Sequence, residues 1–155
     1  MDYLRNHYIP KFLLKNFSEK AENGKWKINY INLGSRKVER RNLKAVFAQN
    51  NFYDIPSASD TKILEKRFNL KIETPMAQIV DKIISSNEGY ITITRKELGI
   101  IKKFILIQMY RNPANQGQYQ NASEKDSFTF SKAFKKESET DIDYWKREML
   151  YVIEQ

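Results

Sequence analysis

His7 is the only histidine of the chain and lies three residues ahead of Pro10. An imidazole with an unperturbed pKa of about 6.5 can exchange protons near neutral pH, so His7 is a candidate general base. The alternative is a packing residue whose ring is hydrogen-bonded to a backbone carbonyl. With one histidine and no cysteine, the chain lacks the ligands for a zinc site made of protein alone. No cofactor is expected, except a carboxylate-bound magnesium or manganese ion in the case of a nuclease.

Arg111 is the second candidate, because it continues a helical repeat of apolar residues that runs through Ile107. A guanidinium at the end of a buried apolar stripe is costly unless it is paired. Glu65 and Glu73 lie on the preceding helical segment, which is the natural packing neighbour. Such a pair can belong to a catalytic site or to a purely structural polar network.

Glu65, Glu73 and Asp81 are spaced eight residues apart. Eight residues advance an α-helix by about 80° beyond two full turns, so the three carboxylates are not expected to form one stripe. The spacing therefore indicates a two-metal carboxylate site only weakly.

Positive charge is concentrated in the first third of the chain. Residues 1–50 hold eleven basic and four acidic side chains, a net charge of +7 out of +8 for the whole chain. This asymmetry favours a polyanionic partner such as nucleic acid, the alternative being lysines that serve solubility alone. Six basic residues surround a short aromatic strand and are the candidate nucleic-acid-binding residues: Lys25, Lys27, Arg36, Lys37, Arg40 and Arg41.

Alternation along that strand points Trp26 and Tyr30 towards the core and away from the lysines. The interpretation is an electrostatic surface rather than one that reads bases. Residues 36–40 are expected to form the partner strand of a hairpin, with the basic side chains on the solvent face. Asn42 is expected to cap a short helix over 43–48.

Helices are expected in most other segments. Pro10 suits the first turn of a short helix whose buried residues include Phe12 and Phe17. An apolar repeat from Ile63 to Ile83 predicts a helical segment after a capping region at 57–60. Pro75 should kink it or split it, with Thr74 capping the second half.

Thr94 and Glu97 fit a capping box. The helix that follows, 98–110, is apolar on nearly every side and is therefore placed in the centre of a bundle. Residues 114–127 are predicted to be a polar surface loop. A last helix from Asp141 reaches Gln155 without a capping signal, so the chain is expected to be a truncated form or to complete this helix against a protein partner.

The predicted class is α+β, mostly α, a helical bundle with a small N-terminal β-hairpin. A chain of 155 residues is expected to be one domain. Its predicted regions are a basic part (1–56), a helical core (57–113), the polar loop (114–127) and a C-terminal helical region (128–155). No signal peptide or membrane-spanning run is recognised, so a cytoplasmic protein with no membrane partner is expected.

The N-terminal run Asn6-His7-Tyr8-Ile9-Pro10 with Phe17 resembles the start of a bacterial and phage family, domain of unknown function 4238. Three further segments are similar to family motifs in the same order: Phe52-Tyr53-Asp54, Leu64-Glu65 with Ile72-Glu73, and Gln108 to Pro113. The resemblance covers residues 6–113, and a later Ser-Asp-Asn-Pro segment of the family is not found. It implies that His7, Glu65, Glu73 and Arg111 form one constellation, and it implies no established activity.

The leading hypothesis is a polyanion-binding protein with nucleic acid as the expected ligand, acting in phage–host conflict. A hydrolase or nuclease that uses His7, Glu65, Glu73 and Arg111 is the alternative. The second alternative assigns the same four residues to a buried structural network.

Overall fold

The computed structural model describes residues 5–56, 58–121 and 134–155, without the side chains of 118–121. Helices and two small antiparallel sheets make up these residues, which confirms a mixed α+β protein. The chain divides into two compact units, residues 1–52 and 53–155. This boundary lies close to the end of the predicted basic region at residue 56, and the two units are described in turn.

The first unit contains both sheets. Strand β1 (Arg5–His7) pairs antiparallel with β5 (Ala48–Asn50). Between them lie helix α1, a three-stranded sheet in the order β2-β3-β4, and a 3₁₀ turn. Their bounds are α1 Lys11–Lys15, β2 Ser18–Lys20, β3 Trp26–Asn32, β4 Lys37–Asn42 and the 3₁₀ turn Leu43–Ala45.

The core of the first unit consists of four buried aliphatic residues, Leu14, Ile28, Leu43 and Val46. Leu14 comes from α1, whose start after Pro10 agrees with the prediction. Phe17 was expected on the same buried face, but its side chain is 77% exposed. The expectation is wrong because α1 ends at Lys15, so the helical repeat does not extend to residue 17.

Strands β3 and β4 pair in a register that opposes Ile28 to Arg41 and Asn29 to Arg40. Directly opposed residues of an antiparallel pair lie on the same face of the sheet. Arg41 and Lys37, four residues apart on β4, therefore lie on the face of Ile28, and Arg40 lies on the other face. Lys37 and Arg40 of the predicted strand are exposed as expected, but alternation divides them between the two sides, so they do not share one face.

Asparagine side chains accept hydrogen bonds from backbone amides in two connections of the first unit. Asn42 caps the 3₁₀ turn as predicted, since its side chain accepts a hydrogen bond of 3.3 Å from the Lys44 amide, but the turn is shorter than the helix expected over 43–48. The β3–β4 turn ends at Arg36, whose φ of 54° is left-handed. The Asn32 side chain accepts hydrogen bonds from the amides of Gly34 and Ser35 in this turn.

The first helix of the second unit begins at Ile63. Helix α2 (Ile63–Arg67), a π-helical segment (Phe68–Glu73) and α3 (Thr74–Ser85) follow one another without a break. Thr74 is helical and does not cap α3, so the predicted split with a new cap is wrong. The π-helical turns precede Pro75, where the helix lacks one amide donor. The buried residues of the run are Leu64, Phe68, Ile72, Met76 and Ile79, whereas Ile83 is exposed.

Helix α4 (Arg95–Arg111) starts with the predicted capping box, in which Thr94 and Glu97 bond each other's backbone amide. Its predicted central position is wrong. Phe104, Ile107 and Arg111 are buried, but Ile105 and Met109 are 56% and 49% exposed. The described neighbours α3, α5 and α6 pack against α4, and its second apolar face remains accessible.

Helix α5 (Pro113–Asn121) occupies much of the predicted polar loop, of which residues 122–127 lie outside the described part. Pro113 ends α4 as expected, but it also suits the first turn of a new helix. Asn112 accepts a hydrogen bond of 3.0 Å from the Ala114 amide. Helix α6 (Asp141–Glu154) agrees with the predicted last helix and buries Trp145, Met149 and Ile153. Residues 128–133 of the predicted C-terminal region are not among the described ones.

None of the described helices combines the length and the apolar character that crossing a membrane requires.

Candidate functional site

A basic cleft lies at the surface of the first unit. Its volume is about 520 Å³. Helix α1, the turn before β3 and the 3₁₀ turn after β4 supply its walls. Four lysines and one indole dominate the described lining, which consists of Lys11, Lys15, Gly24, Lys25, Trp26, Asn42, Leu43 and Lys44. None of these described residues is acidic, so the cleft is suited to an anion.

Trp26 forms the aromatic wall of the cleft. Its ring is partly buried because it packs against the aliphatic core around Ile28 and Leu43. The Lys15 Nζ lies 5.7 Å from the centroid of the indole, within the range of a cation–π contact. Alternation correctly places Trp26 against the core. Its predicted separation from the lysines of the same strand agrees with the absence of Lys27 from the described lining but is wrong for Lys25, which shares the cleft with the ring. The other lysines of the cleft come from α1 and the 3₁₀ turn.

The six basic residues predicted from the sequence have different surroundings. Lys25 lines the cleft. Arg40 donates to Glu19 at 2.9 Å, and Arg41 forms an ion pair with Glu39 at 2.7 Å, so part of their charge is already compensated. The three others lie on β3, in the β3–β4 turn and on β4: Lys27, Arg36 and Lys37.

Glu39 compensates Arg41 from a fixed position. The Tyr30 hydroxyl donates to a Glu39 carboxylate oxygen at 2.9 Å. This hydrogen bond and the one from Arg41 hold the pKa of Glu39 below its ordinary value. The carboxylate therefore stays ionised beside Arg41 at neutral pH.

Sequence reasoning missed Lys11, Lys15 and Lys44 of the cleft. The available signal was the high density of lysine throughout residues 1–50. Only the packing of α1 and the 3₁₀ turn beside Trp26 distinguishes these three from the rest.

His7 is 5% exposed and belongs to β1. Its Nε2 lies 3.3 Å from the carbonyl oxygen of Leu43. A carbonyl can only accept, so this contact requires a proton on Nε2. The contact fits the packing interpretation of His7, since it ties β1 to the 3₁₀ turn of the same unit.

Arg111 of α4 is 1% exposed and lies in a closed polar cluster of the second unit. Its Nε donates to the Tyr53 hydroxyl at 2.8 Å, and its Nη1 lies 2.6 Å from a carboxylate oxygen of Glu73. The guanidinium carbon is 5.2 Å from the ring centroid of Tyr53 and 4.7 Å from that of Phe68. The predicted pair of Arg111 with a glutamate of the preceding helical segment is present.

The charges of both predicted glutamates raise the pKa of the same tyrosine, Tyr53. Burial raises the pKa of the Tyr53 hydroxyl, the charge of Arg111 opposes this rise, and the charges of Glu65 and Glu73 add to it. The eight-residue spacing predicted that the two glutamates lie about 80° apart around an ideal helix. Most residues between them are π-helical, and a wider turn advances each residue by less than the 100° of an α-helix. The π segment thus offsets the expected rotation.

The described residues bring three of the four predicted catalytic residues into one unit: Glu65, Glu73 and Arg111. His7 belongs to the other unit, and the convergence of all four stays a prediction. Among the described residues, no three acidic or histidine side chains are grouped closely enough to hold a metal ion.

Comparison with known proteins gives a family and no function. No curated protein and no solved structure matches the chain. A family match covers residues 5–154, so it continues through α6, beyond the motifs that end at Pro113. The chain therefore belongs to the family described as Protein of unknown function (DUF4238).

Proposed function

We propose that this protein binds a polyanion, with nucleic acid as the ligand, through the basic cleft of its first unit. The cleft is the observation that carries the proposal, because four lysines from three separate segments converge on one opening. Lysines spread evenly for solubility give no reason for this convergence beside an aromatic wall. A cytoplasmic location and a role in phage–host conflict stay predictions.

The energetic source of such binding is the release of counterions from the phosphates. Each lysine that neutralises a phosphate adds to the slope of affinity against salt concentration, by about 0.9 for a duplex and about 0.7 for a single strand. Four contacts then predict that affinity falls roughly 50-fold to 150-fold between 50 and 200 mM salt. The net charge of residues 1–50, +7, adds long-range attraction of the same sign.

A salt titration tests this proposal. Fluorescence anisotropy of labelled single-stranded and duplex oligonucleotides is measured against the whole protein at several salt concentrations. The expected result is an affinity that falls linearly in a double logarithmic plot. Affinity that is absent, or that does not change with salt, contradicts nucleic-acid binding.

For Glu65, Glu73 and Arg111 we propose the structural alternative rather than a hydrolase site. A catalytic guanidinium must reach substrate, whereas Arg111 is almost fully buried beside two rings and is already bonded to Tyr53 and Glu73. A buried charge held in this way stabilises one arrangement of α4 against the π-helical segment. Assays of phosphodiester hydrolysis with the wild-type protein are expected to show no activity, and hydrolysis by the wild-type protein would contradict this assignment.

A further inference from the structure

We infer that the cleft is a subsite for a single nucleotide of a single-stranded nucleic acid, with its base stacked on Trp26. The inference rests on the proposed function and assigns a particular role to one ring within it. Three features of the cleft support it: the packing of the indole against the core, the size and apolar wall of the opening, and the distribution of the lysines.

The indole of Trp26 has the properties of a stacking platform. It is anchored by the aliphatic core of the first unit, so its orientation is fixed before a ligand arrives. It also borders the opening, and Lys15 reaches over it. Lys15 is exposed, and a flexible ammonium at an exposed site can exchange its ring contact for a phosphate.

A site for bare phosphate needs neither the ring nor the volume. The cleft measures about 520 Å³, within the range of pockets that take small organic ligands. Its wall includes Trp26 and Leu43 in addition to the lysines. An apolar wall with a flat ring is complementary to a planar base, and the surrounding ammonium groups are complementary to the phosphates that flank it.

The ring also distinguishes single strands from duplexes. In a duplex, both faces of a base are covered by its neighbours, whereas a single strand can turn a base out to stack on an aromatic side chain. Lys11 and Lys15 stand on α1, Lys25 precedes β3 and Lys44 follows β4. This arrangement places cations on several sides of one base, where they can contact the phosphates that precede and follow it in a single-stranded nucleic acid.

The test compares a single-stranded decathymidylate with an abasic oligonucleotide of the same length and charge. Tryptophan fluorescence is recorded during titration of the whole protein. The chain has two tryptophans; Trp145 is fully buried in the second unit and serves as an internal reference. Thymidylate is expected to quench the Trp26 emission and to bind more tightly than the abasic strand, by about 5-fold to 150-fold, the range for loss of one base–aromatic stack.

A Trp26→Leu variant provides the second measurement, because leucine retains apolar contact with the core but offers no ring. It is expected to lose the quenching and the preference for thymidylate, while its affinity for the abasic strand stays within about twofold. A far-ultraviolet circular dichroism spectrum, to which the sheets of the first unit contribute, shows that the variant is folded. A Trp26→Phe variant, which keeps a smaller ring, is expected to retain part of the preference.

The outcomes separate the two proposals. If both strands bind with salt-dependent and equal affinity and neither quenches Trp26, the stacking subsite is wrong and polyanion binding survives. Tight binding of thymidylate that Trp26→Leu does not weaken also overturns the subsite. If neither strand binds at low salt, both the subsite and the proposed function are wrong.

Discussion

The two units each bring a cation against aromatic rings, and they do so in opposite settings. In the first unit, the Lys15 ammonium lies over Trp26 at the edge of an open cleft. In the second, the Arg111 guanidinium lies beside Tyr53 and Phe68, with its charge paired by Glu73. The same kind of contact therefore borders accessible space in one unit and fills closed space in the other.

The difference lies in what the rest of each cation can bond. Lysine carries a compact, hydrated charge that one ring does not satisfy, whereas arginine presents a planar group with five donors. Arg111 directs its donors to Tyr53 and Glu73 inside the protein. The open cluster is thus suited to a ligand and the closed one to stability. Substitutions in each unit should affect one property and spare the other.

The largest effect is expected from Arg111→Met. Loss of the guanidinium leaves the Tyr53 hydroxyl and the partly buried Glu73 carboxylate, which is 23% exposed, without their charged partner. Breaking a fully buried pair costs about 3–5 kcal/mol, which is the upper bound here. Urea unfolding at pH 7 measures it. The control is Arg67→Met, since Arg67 is 39% exposed and lies 3.3 Å from Glu154; it should cost under about 1 kcal/mol. Equal losses for the two variants would contradict the structural role of the closed cluster.

Tyr53→Phe should have the next largest effect. It removes the acceptor of the Arg111 Nε hydrogen bond, at a cost of about 1–3 kcal/mol at pH 7. Burial raises the pKa of Tyr53 in the native state, so the native protein holds this proton more tightly than the unfolded chain does. The contribution of this proton to the free energy of unfolding is fully present below about pH 10, the pKa of tyrosine in the unfolded chain, and is lost as pH rises through the native pKa.

Unfolding curves between pH 7 and 11 check this expectation. The wild-type protein should lose stability above pH 10 more steeply than Tyr53→Phe, which has no proton to release there. Tyr151→Phe is the matched control, because Tyr151 is 60% exposed. If the alkaline slopes of wild type and Tyr53→Phe coincide, the Tyr53 hydroxyl does not govern the alkaline loss.

A double substitution in the open cluster, Lys15→Gln with Lys44→Gln, should reduce affinity for a single strand about tenfold near 100 mM salt. Removal of two phosphate contacts should also reduce the salt slope by about 1.4. The matched control, Lys96→Gln with Lys102→Gln, removes the same charge from exposed positions of α4 in the second unit. A comparable loss in both variants would show that net charge alone determines binding.

The smallest effect is expected from Arg36→Asn in the β3–β4 turn. Arg36 is left-handed, with φ of 54°, and asparagine tolerates this conformation better than other non-glycine residues. The variant should be more stable by up to about 1 kcal/mol in thermal unfolding, with affinity changed by less than about twofold. Lys37→Asn loses the same charge from β4 and should gain no stability. A larger loss of affinity for Arg36→Asn would extend the binding surface to this turn.

The parts of the fold that depend on nearby residues could be predicted from the sequence. The Thr94–Glu97 capping box, strand β3 and the buried side of α6 each follow from spacing within one element. The pairing of β1 with β5 could not, because three-residue strands about 40 residues apart carry no local period. The exposed face of α4 escaped prediction for a similar reason: periodicity identifies apolar faces but does not show which one is covered.

The candidate site divides in the same way. The pairing of Arg111 with Glu73 was accessible, because helical phase marks Arg111 as buried and charge limits its partners. The cleft could not be predicted, because three of its four lysines lie on α1 and after β4, separated in sequence from Trp26. Their common location is a property of tertiary packing.

The π-helical segment Phe68–Glu73 has a consequence for chain length. Deletion of one residue within it would allow the run to relax to an ordinary α-helix, since π-helical turns hold one residue more per hydrogen-bonded loop. Seven α-helical steps advance by about 700°, close to two full turns, so the residues beyond the deletion would keep nearly the same side of the helix. Homologous chains that have an α-helix there, with one residue fewer between Glu65 and Glu73, should therefore still be able to form the Arg111 cluster.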